Sequence, residues 1–270
     1  MEAIRWPAEN FVATIHRPPH LFRMEEAEYY KMAGVEDRMW YYRSLHGHCH
    51  RLLRQRCGTG ACDLLDAGCG SGGLIRRLQG REPAWRITGI DVSPLACTLA
   101  RRRCRAPVVE GSVTALPFAG AAFDAIVSAD VLYELDEPGA ALGEFHRCLR
   151  PGGWIVINVP AYRWLWSYHD VAVRSKHRFE RCEVAALLAA AGFAVEVNTH
   201  WNALPFPLIV AKRKLFSRAG DTSDVKQYPA PVEAGLRGLM AVEHAWLRLG
   251  GRWAWGSSIL AAGRKLESAR

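Results

Sequence analysis

The segment Asp63-Leu64-Leu65-Asp66-Ala67-Gly68-Cys69-Gly70-Ser71-Gly72-Gly73 constrains the fold more than any other part of this 270-residue chain. Its short apolar run, bounded by glycines, reads as a buried strand, and Leu74 to Leu78 reads as the helix that follows. Gly68-x-Gly70-x-Gly72 between the two lets the backbone turn tightly and approach a ligand closely. The alternation then repeats. A strand from Arg86 to Ile90 ends at Asp91, and Ser93-Pro94 opens a helix with a cap residue followed by proline in the first turn. Strands follow at Pro107 to Glu110, Phe123 to Ser128 and Trp154 to Val159, with a helix from Pro138 to near Leu149 stopped by Pro151-Gly152-Gly153. A helix at 180–191, a strand at 193–200 and a last strand at Ser257 to Ala262 complete the series. Short apolar strands alternating with helices predict an α/β fold, a parallel sheet with helices on both faces.

Two regions depart from that rhythm. Residues 24–56 read as helical, with Met24, Tyr29, Met32, Val35, Met39, Trp40 and Leu45 interleaved with charge. Residues 203–254 carry prolines, the basic cluster Lys212-Arg213-Lys214 and an amphipathic stretch from Leu236 to Leu249. The expected organisation is therefore an N-terminal helical lid (1–60), a Rossmann-like domain (61–202 and 255–270) and a helical cap (203–254) inserted before the last strand. With half its residues hydrophobic and 23% charged, the chain is too apolar for disorder, and no apolar run is long enough for a spanning helix. The N-terminus has early acidic residues and no apolar signal core, and the eight cysteines form no C-x-x-C pair, so reduced thiols in a cytoplasmic protein are expected. The excess of Lys plus Arg (35) over Asp plus Glu (27) favours an anionic partner without choosing among nucleic acid, lipid and metabolite.

The glycine loop by itself leaves two nucleotide ligands open. It also parses as Gly68-x-Gly70-x-x-Gly73, the dinucleotide fingerprint, with Asp91 near the distance of the ribose carboxylate. Asp66 helps separate them, because a carboxylate just before the loop sits poorly beside a diphosphate but suits a ligand bearing an ammonium and a sulfonium. Four blocks in order then carry a resemblance: Leu64 to Gly72, Gly89-Ile90-Asp91-Val92-Ser93, Gly111-Ser112-Val113-Thr114-Ala115-Leu116-Pro117-Phe118 and Leu149-Arg150-Pro151-Gly152-Gly153. Over residues 60–160 the chain resembles the class I S-adenosylmethionine-dependent methyltransferases of the type 11 group.

That resemblance implies a doubly wound, mostly parallel sheet with a C-terminal antiparallel strand, and S-adenosylmethionine as cofactor with S-adenosylhomocysteine as product. It implies that Gly68, Cys69, Gly70 and Gly72 pass beneath the methionine part and ribose, with Asp66 near the amino group. Asp91 would accept from both ribose hydroxyls and Val92 would pack on adenine. Ser112 and the Val113 backbone stand where relatives often place an Asp for the adenine amino group. Ala129 and Asp130 would face the sulfonium region, and Arg43, in a helix similar to one such enzymes fold over the cofactor, would pair with its carboxylate.

Methyl transfer is in-line displacement at an activated carbon, so positioning can supply most of the acceleration, with a base adding about 10²–10⁴-fold where the acceptor loses a proton. The stretch Pro160 to Asp170, followed by Lys176-His177-Arg178-Phe179, is dense in aromatic, imidazole and basic groups. His169 is the expected general base or acceptor-positioning group, Tyr133 a further catalytic candidate, and Tyr162, Trp164, Trp166 and His177 the expected acceptor wall. His46 and His50 share a helical face without further ligands nearby, so no metal is expected. The expected activity is methyl transfer to oxygen or nitrogen of a small, partly apolar metabolite of secondary-metabolite, glycan or lipid type. A nucleic-acid methyltransferase is the rival, lacking here the Asn/Asp-Pro-Pro-aromatic block after the fourth strand, and a non-catalytic cofactor-binding protein is another. The stretch Leu204 to Val210 with Lys212-Arg213-Lys214 would serve as cap or as a peripheral membrane contact.

Overall fold

The computed structural model describes residues 26–216 and 223–266. A seven-stranded sheet organises them: β1 (Cys62–Ala67), β2 (Trp85–Asp91), β3 (Val108–Glu110), β4 (Phe123–Ala129), β5 (Leu149–Pro160), β6 (Phe193–Trp201) and β7 (Ser258–Lys265), in the order β3-β2-β1-β4-β5-β7-β6. β1 to β5 pair in parallel, and β7 runs antiparallel to both β5 and β6. The order reverses between β1 and β4, and the crevice at the carboxyl ends of strands flanking such a switch point is where open α/β sheets bind ligands.

Alternation along each strand divides the core into two layers. Leu65, Ile126, Ile155 and Ile259 face α5 (Pro138–Cys148) and α7 (Arg181–Ala190), through Leu142, Phe145 and Leu188. Leu64, Val127, Val156 and Leu260 face the other side, where α2 (Trp40–Cys57), α3 (Gly73–Gln79) and α4 (Pro94–Arg103) supply Leu52, Ile75, Leu78 and Cys97. α9 (Ala230–Arg248) packs on that second layer through Met240 and Leu247. The Ser93 side chain caps α4 by accepting from the Ala96 amide (3.3 Å), with Pro94 in the first turn.

Several local boundaries differ from the sequence reading. The helix expected over 24–56 is broken between α1 (Glu26–Val35) and α2, because Glu36 and Asp37 turn inward to bind Arg103. β5 begins at Leu149, ahead of the Pro-Gly-Gly, since Leu149 pairs with Phe123 and the intervening residues are taken up as a register shift. The stretch 160–178 holds the short helix α6 (Tyr168–Ala172), and 203–254 holds α8 (Phe206–Lys214) and α9. The part of the expected lid at 1–25 lies outside the described residues. All eight cysteines are unpaired thiols. Among the described residues no helix is long and apolar enough to cross a membrane.

Candidate active site

One cavity of about 570 Å³ opens at the switch point, along the carboxyl ends of β1, β2, β4 and β5. Asp66 of β1, Asp91 of β2 and Asp130 just beyond β4 all line it, as do Gly68, Cys69, Gly70, Val92, Ser112, Val113, Ala129, Tyr133 and His169.

At the glycine loop the turn is strapped down by two amides, Gly68 and Cys69, which donate to the Ile90 carbonyl at 2.8 and 2.9 Å. Gly68 has φ +86°, and a Cβ there would sit 2.2 Å from Val131 Cγ2, so only glycine fits. Asp91 organises the next layer: Oδ2 accepts from the Gly70 amide (2.9 Å) and Oδ1 from the Ser93 amide (2.8 Å). A carboxylate has about four acceptor positions, which suits it to two hydroxyl donors at once. Asp66 is buried, and its Oδ2 meets no partner among the described residues. Burial, with Asp91 and Glu36 nearby, pushes its carboxyl up to about 8. A buried orphan acceptor at this depth is costly unless a donor fills the cavity. The residues present therefore fit a ligand bringing an ammonium to Asp66 and vicinal hydroxyls to Asp91. Met32 of α1 lies over this end, its Cε within 2.8 Å of where a Gly70 Cβ would be, and Glu36 accepts from Ser71 Oγ and from Arg103.

Around Asp130 a polar chain runs through the interior. Tyr41 Oη donates to Asp130 Oδ2 (2.9 Å), Asn158 Nδ2 donates to Asp130 Oδ1 (2.7 Å), and Trp201 Nε1 donates to Asn158 Oδ1 (2.6 Å). Asp130 holds φ +59°, a left-handed conformation that costs a non-glycine residue about 1–2 kcal/mol. Burial pushes its carboxyl up to about 6 against the lowering by its Tyr41 and Asn158 bonds. Glu134 is pushed to about 8 by burial and by Asp91, and burial holds the Tyr133 phenol well above its usual range.

His169 also lines the cavity, and its hydrogen bonding favours acceptor positioning over the general-base alternative. Its Nδ1 accepts from the Asp224 amide (3.1 Å), so the neutral ring carries its proton on Nε2 and acts there as a donor. Burial and the nearby Arg213 pull it down to about 4, which keeps it neutral. A general base at this position would need the opposite tautomer.

Six of the sequence-predicted residues stand away from the cavity wall. Arg43 is exposed on α2, where its carbonyl accepts from Arg77. Gly72, at φ +82°, turns the chain into α3 with Ala100 of α4 3.1 Å from where its Cβ would be. Tyr162 stacks on His200 (5.1 Å between centroids) and leans on Phe206. Trp164 and Trp166 are 51% and 39% exposed, and the His177 amide donates to the Tyr133 carbonyl. The aromatic loop thus packs its rings outward. What it turns inward is Arg178, whose Nε reaches the Ala161 and Tyr162 carbonyls and whose Nη1 donates to Asp170 (2.6 Å).

The far end of the cavity is built from residues the sequence reading did not assign. Tyr41 and Tyr42 come from α2, Lys176 and Arg178 from the loop, Lys212 and Arg213 from α8, and Asp224 and Tyr228 from the chain leading into α9. Asp224 takes bonds from Lys212, Arg213 and Tyr168. The cations at 212 and 213 are thus turned inward, while Lys214 donates to the Trp166 carbonyl (3.0 Å). His46 borders the cavity, His50 bonds Glu82 (2.6 Å), and His48 packs on His244; among the described residues no group of three candidate metal ligands occurs.

Comparisons with known proteins bear on this arrangement. Residues 65–157 match the family model described as "Methyltransferase domain". A Mycolicibacterium smegmatis protein described as "Probable S-adenosylmethionine-dependent methyltransferase" is 31% identical over 60% of this chain and 62% of its own. A Thermus thermophilus demethylmenaquinone methyltransferase is 35% identical over 35% of this chain and 45% of its own, so the chain spans less than two thirds of either relative. Among solved structures, a chain from the Haloferax volcanii complex containing the Trm112 methyltransferase activator superposes with a TM-score of 0.60 at 22% identity, over 91% of this chain and 97% of its own, which establishes the fold. The matched segment holds β2, β3 and β4 whole with parts of β1 and β5, and its acidic residues stand at successive strand ends, so residues 65–157 are similar to a methyltransferase domain and the chain to S-adenosylmethionine-dependent methyltransferases.

Proposed function

We propose that the protein transfers the methyl group of S-adenosylmethionine to an oxygen or nitrogen of a small, partly apolar metabolite. The observation that carries this reading is the buried, partnerless Oδ2 of Asp66 in the same cavity as Asp91 and Asp130. Asp66 would receive the cofactor's ammonium and Asp91 its ribose hydroxyls, with Gly68 to Gly70 beneath the chain between them. Val92 would cover the adenine, Ser112 and the Val113 amide would meet its amino group, and Ala129 would border the reacting end. When bound, the cofactor supplies a methyl group already activated by the sulfonium.

The chain's own residues then have three tasks. Asp130, held between Tyr41 and Asn158, accepts the proton that the acceptor loses, a role suited to a carboxyl near 6 at neutral pH. Tyr133 and the Nε2–H of His169 orient the acceptor by donating to it. α1 and α2 on one side, and α8 with the Asp224 strap on the other, act as lid and cap that exclude water and hold the reactants together. A cavity of about 570 Å³ suits a small molecule, and the quinone named in the Thermus relative's description is a partly apolar acceptor of that kind.

Incubating the purified protein with methyl-labelled cofactor and an extract of the native host tests this reading. Label is expected in the small-molecule fraction. Label in nucleic acid would replace it with the rival reading, and no transfer alongside tight cofactor binding would leave a non-catalytic binding protein.

A further inference from the structure

Four cations, Lys176, Arg178, Lys212 and Arg213, line the cavity alongside carboxylates that include Asp66, Asp91, Asp130, Glu134, Asp170 and Asp224. These cations are not a solvated face. The Arg178 side chain is 2% exposed and that of Arg213 is 9% exposed. Asp224 bonds both Lys212 and Arg213, and Asp170 bonds Arg178, whose charge also acts on Asp130. Lys176 bonds Asp136, and its charge also acts on the buried Glu134.

Geometry leaves donors to spare. Arg178 commits Nε to two carbonyls and Nη1 to Asp170, and Arg213 commits Nε and Nη2 to Asp224. Among the described residues Arg178 Nη2 and Arg213 Nη1 make no hydrogen bond, and Arg213 is close enough for its positive charge to disfavour that of Arg178. Two planar groups with undirected N–H donors on one wall form the geometry that recognises an oxyanion.

We propose that the methyl acceptor carries a phosphoryl group, which Arg178 and Arg213 hold at the end of the cavity remote from Asp66. This deepens the proposed function and rests on it. The anion would take up the donors that Asp170 and Asp224 leave undirected, and the Asp66 and Asp91 carboxylates would repel it, fixing which way the acceptor lies. The phosphoryl group is an anchor, and the atom that receives the methyl lies elsewhere on the acceptor.

The test uses the full chain saturated with S-adenosylhomocysteine and titrates pyrophosphate calorimetrically at constant ionic strength, with chloride and acetate as controls. Pyrophosphate is expected to bind at least 10-fold more tightly than acetate. Arg213→Gln should weaken it at least 10-fold while leaving S-adenosylhomocysteine affinity within about 2-fold. If Arg213→Gln does not fold, Lys176→Gln, whose partner is at the surface, is expected to weaken pyrophosphate several-fold. Competition by glycerol 3-phosphate would identify a soluble phosphate ester, and competition by farnesyl phosphate in detergent alone would identify a lipid phosphate; either supports the proposal. Pyrophosphate binding no tighter than acetate, or unaltered in the variant, would overturn it and assign both arginines to structural ion pairs. Loss of S-adenosylhomocysteine binding by the unmodified protein would instead defeat the underlying reading.

Discussion

Asp66 is a carboxyl kept largely protonated by its surroundings until a cation arrives. The sign of its coupling to the cofactor follows from its elevation to about 8. An ammonium binds the ionised form, so below pH 8 binding must first expel a proton. Affinity for S-adenosylhomocysteine is therefore expected to rise between pH 6 and pH 8, and calorimetry in buffers of different ionisation enthalpy should register proton release. Asp66→Asn should flatten that dependence. Asp130 makes a separate prediction, since its carboxyl near 6 places a rising limb in the turnover–pH profile. Asp130→Asn should lower turnover about 10²–10⁴-fold and remove the limb, with cofactor affinity changing far less. Retained turnover would exclude it as the base. These strand-end residues could be read from sequence because a strand, a glycine turn and a helix are local features. The outward turn of Tyr162, Trp164 and Trp166 could not. Side-chain direction in an irregular loop is set by what packs behind it, here His200 on β6 and Phe206 on α8.

Among the elements, α9 holds the second layer together in ways its sequence barely advertises. α2 has no capping side chain of its own at Met39; instead Glu233 of α9 accepts from the Trp40 amide (2.9 Å). Glu243 accepts from the amides of Asn202, Ala203 and Leu204, closing the turn after β6. Glu243→Ala would strand these amides, so a loss of about 3 kcal/mol or more is expected in chemical denaturation. The same interface holds His48 against His244, ring centroids 3.8 Å apart. Burial drives both down, His244 to about 4 and His48 well below its usual value. The unfolded chain takes up these protons near pH 6.5 and the folded protein resists, so stability falls as pH drops from about 6.5 toward 4. A melting temperature that holds steady across that window would contradict the neutral pair. The apolar pattern revealed that Leu236 to Leu249 is helical. It gave no hint that α9 begins at Ala230, because the contacts that settle its first turn lie on α2, some 190 residues earlier in the chain.

At the scale of the whole molecule the basic balance of the sequence divides between surface and interior. Lys212 and Arg213 face the cavity and Lys214 is tied to the loop, so α8 presents little free charge to a bilayer. Pelleting with anionic vesicles is expected to show no salt-sensitive binding, whereas capture that weakens with salt would restore the membrane reading. The parallel part of the sheet follows from alternation and glycine placement, and the C-terminal antiparallel strand agrees with what the resemblance implies. The far end of the cavity draws on residues from distant parts of the chain, Tyr41, Arg178 and Arg213 with Asp224, and only folding brings them together. The central claim, that acidic strand ends at the glycine loop grip S-adenosylmethionine, is tested most directly by titrating S-adenosylhomocysteine into the protein and into Asp66→Asn and Asp91→Ala variants. Saturable one-to-one binding, weakened about 10- to 100-fold in each variant, is predicted; no binding, or binding indifferent to both substitutions, would contradict it.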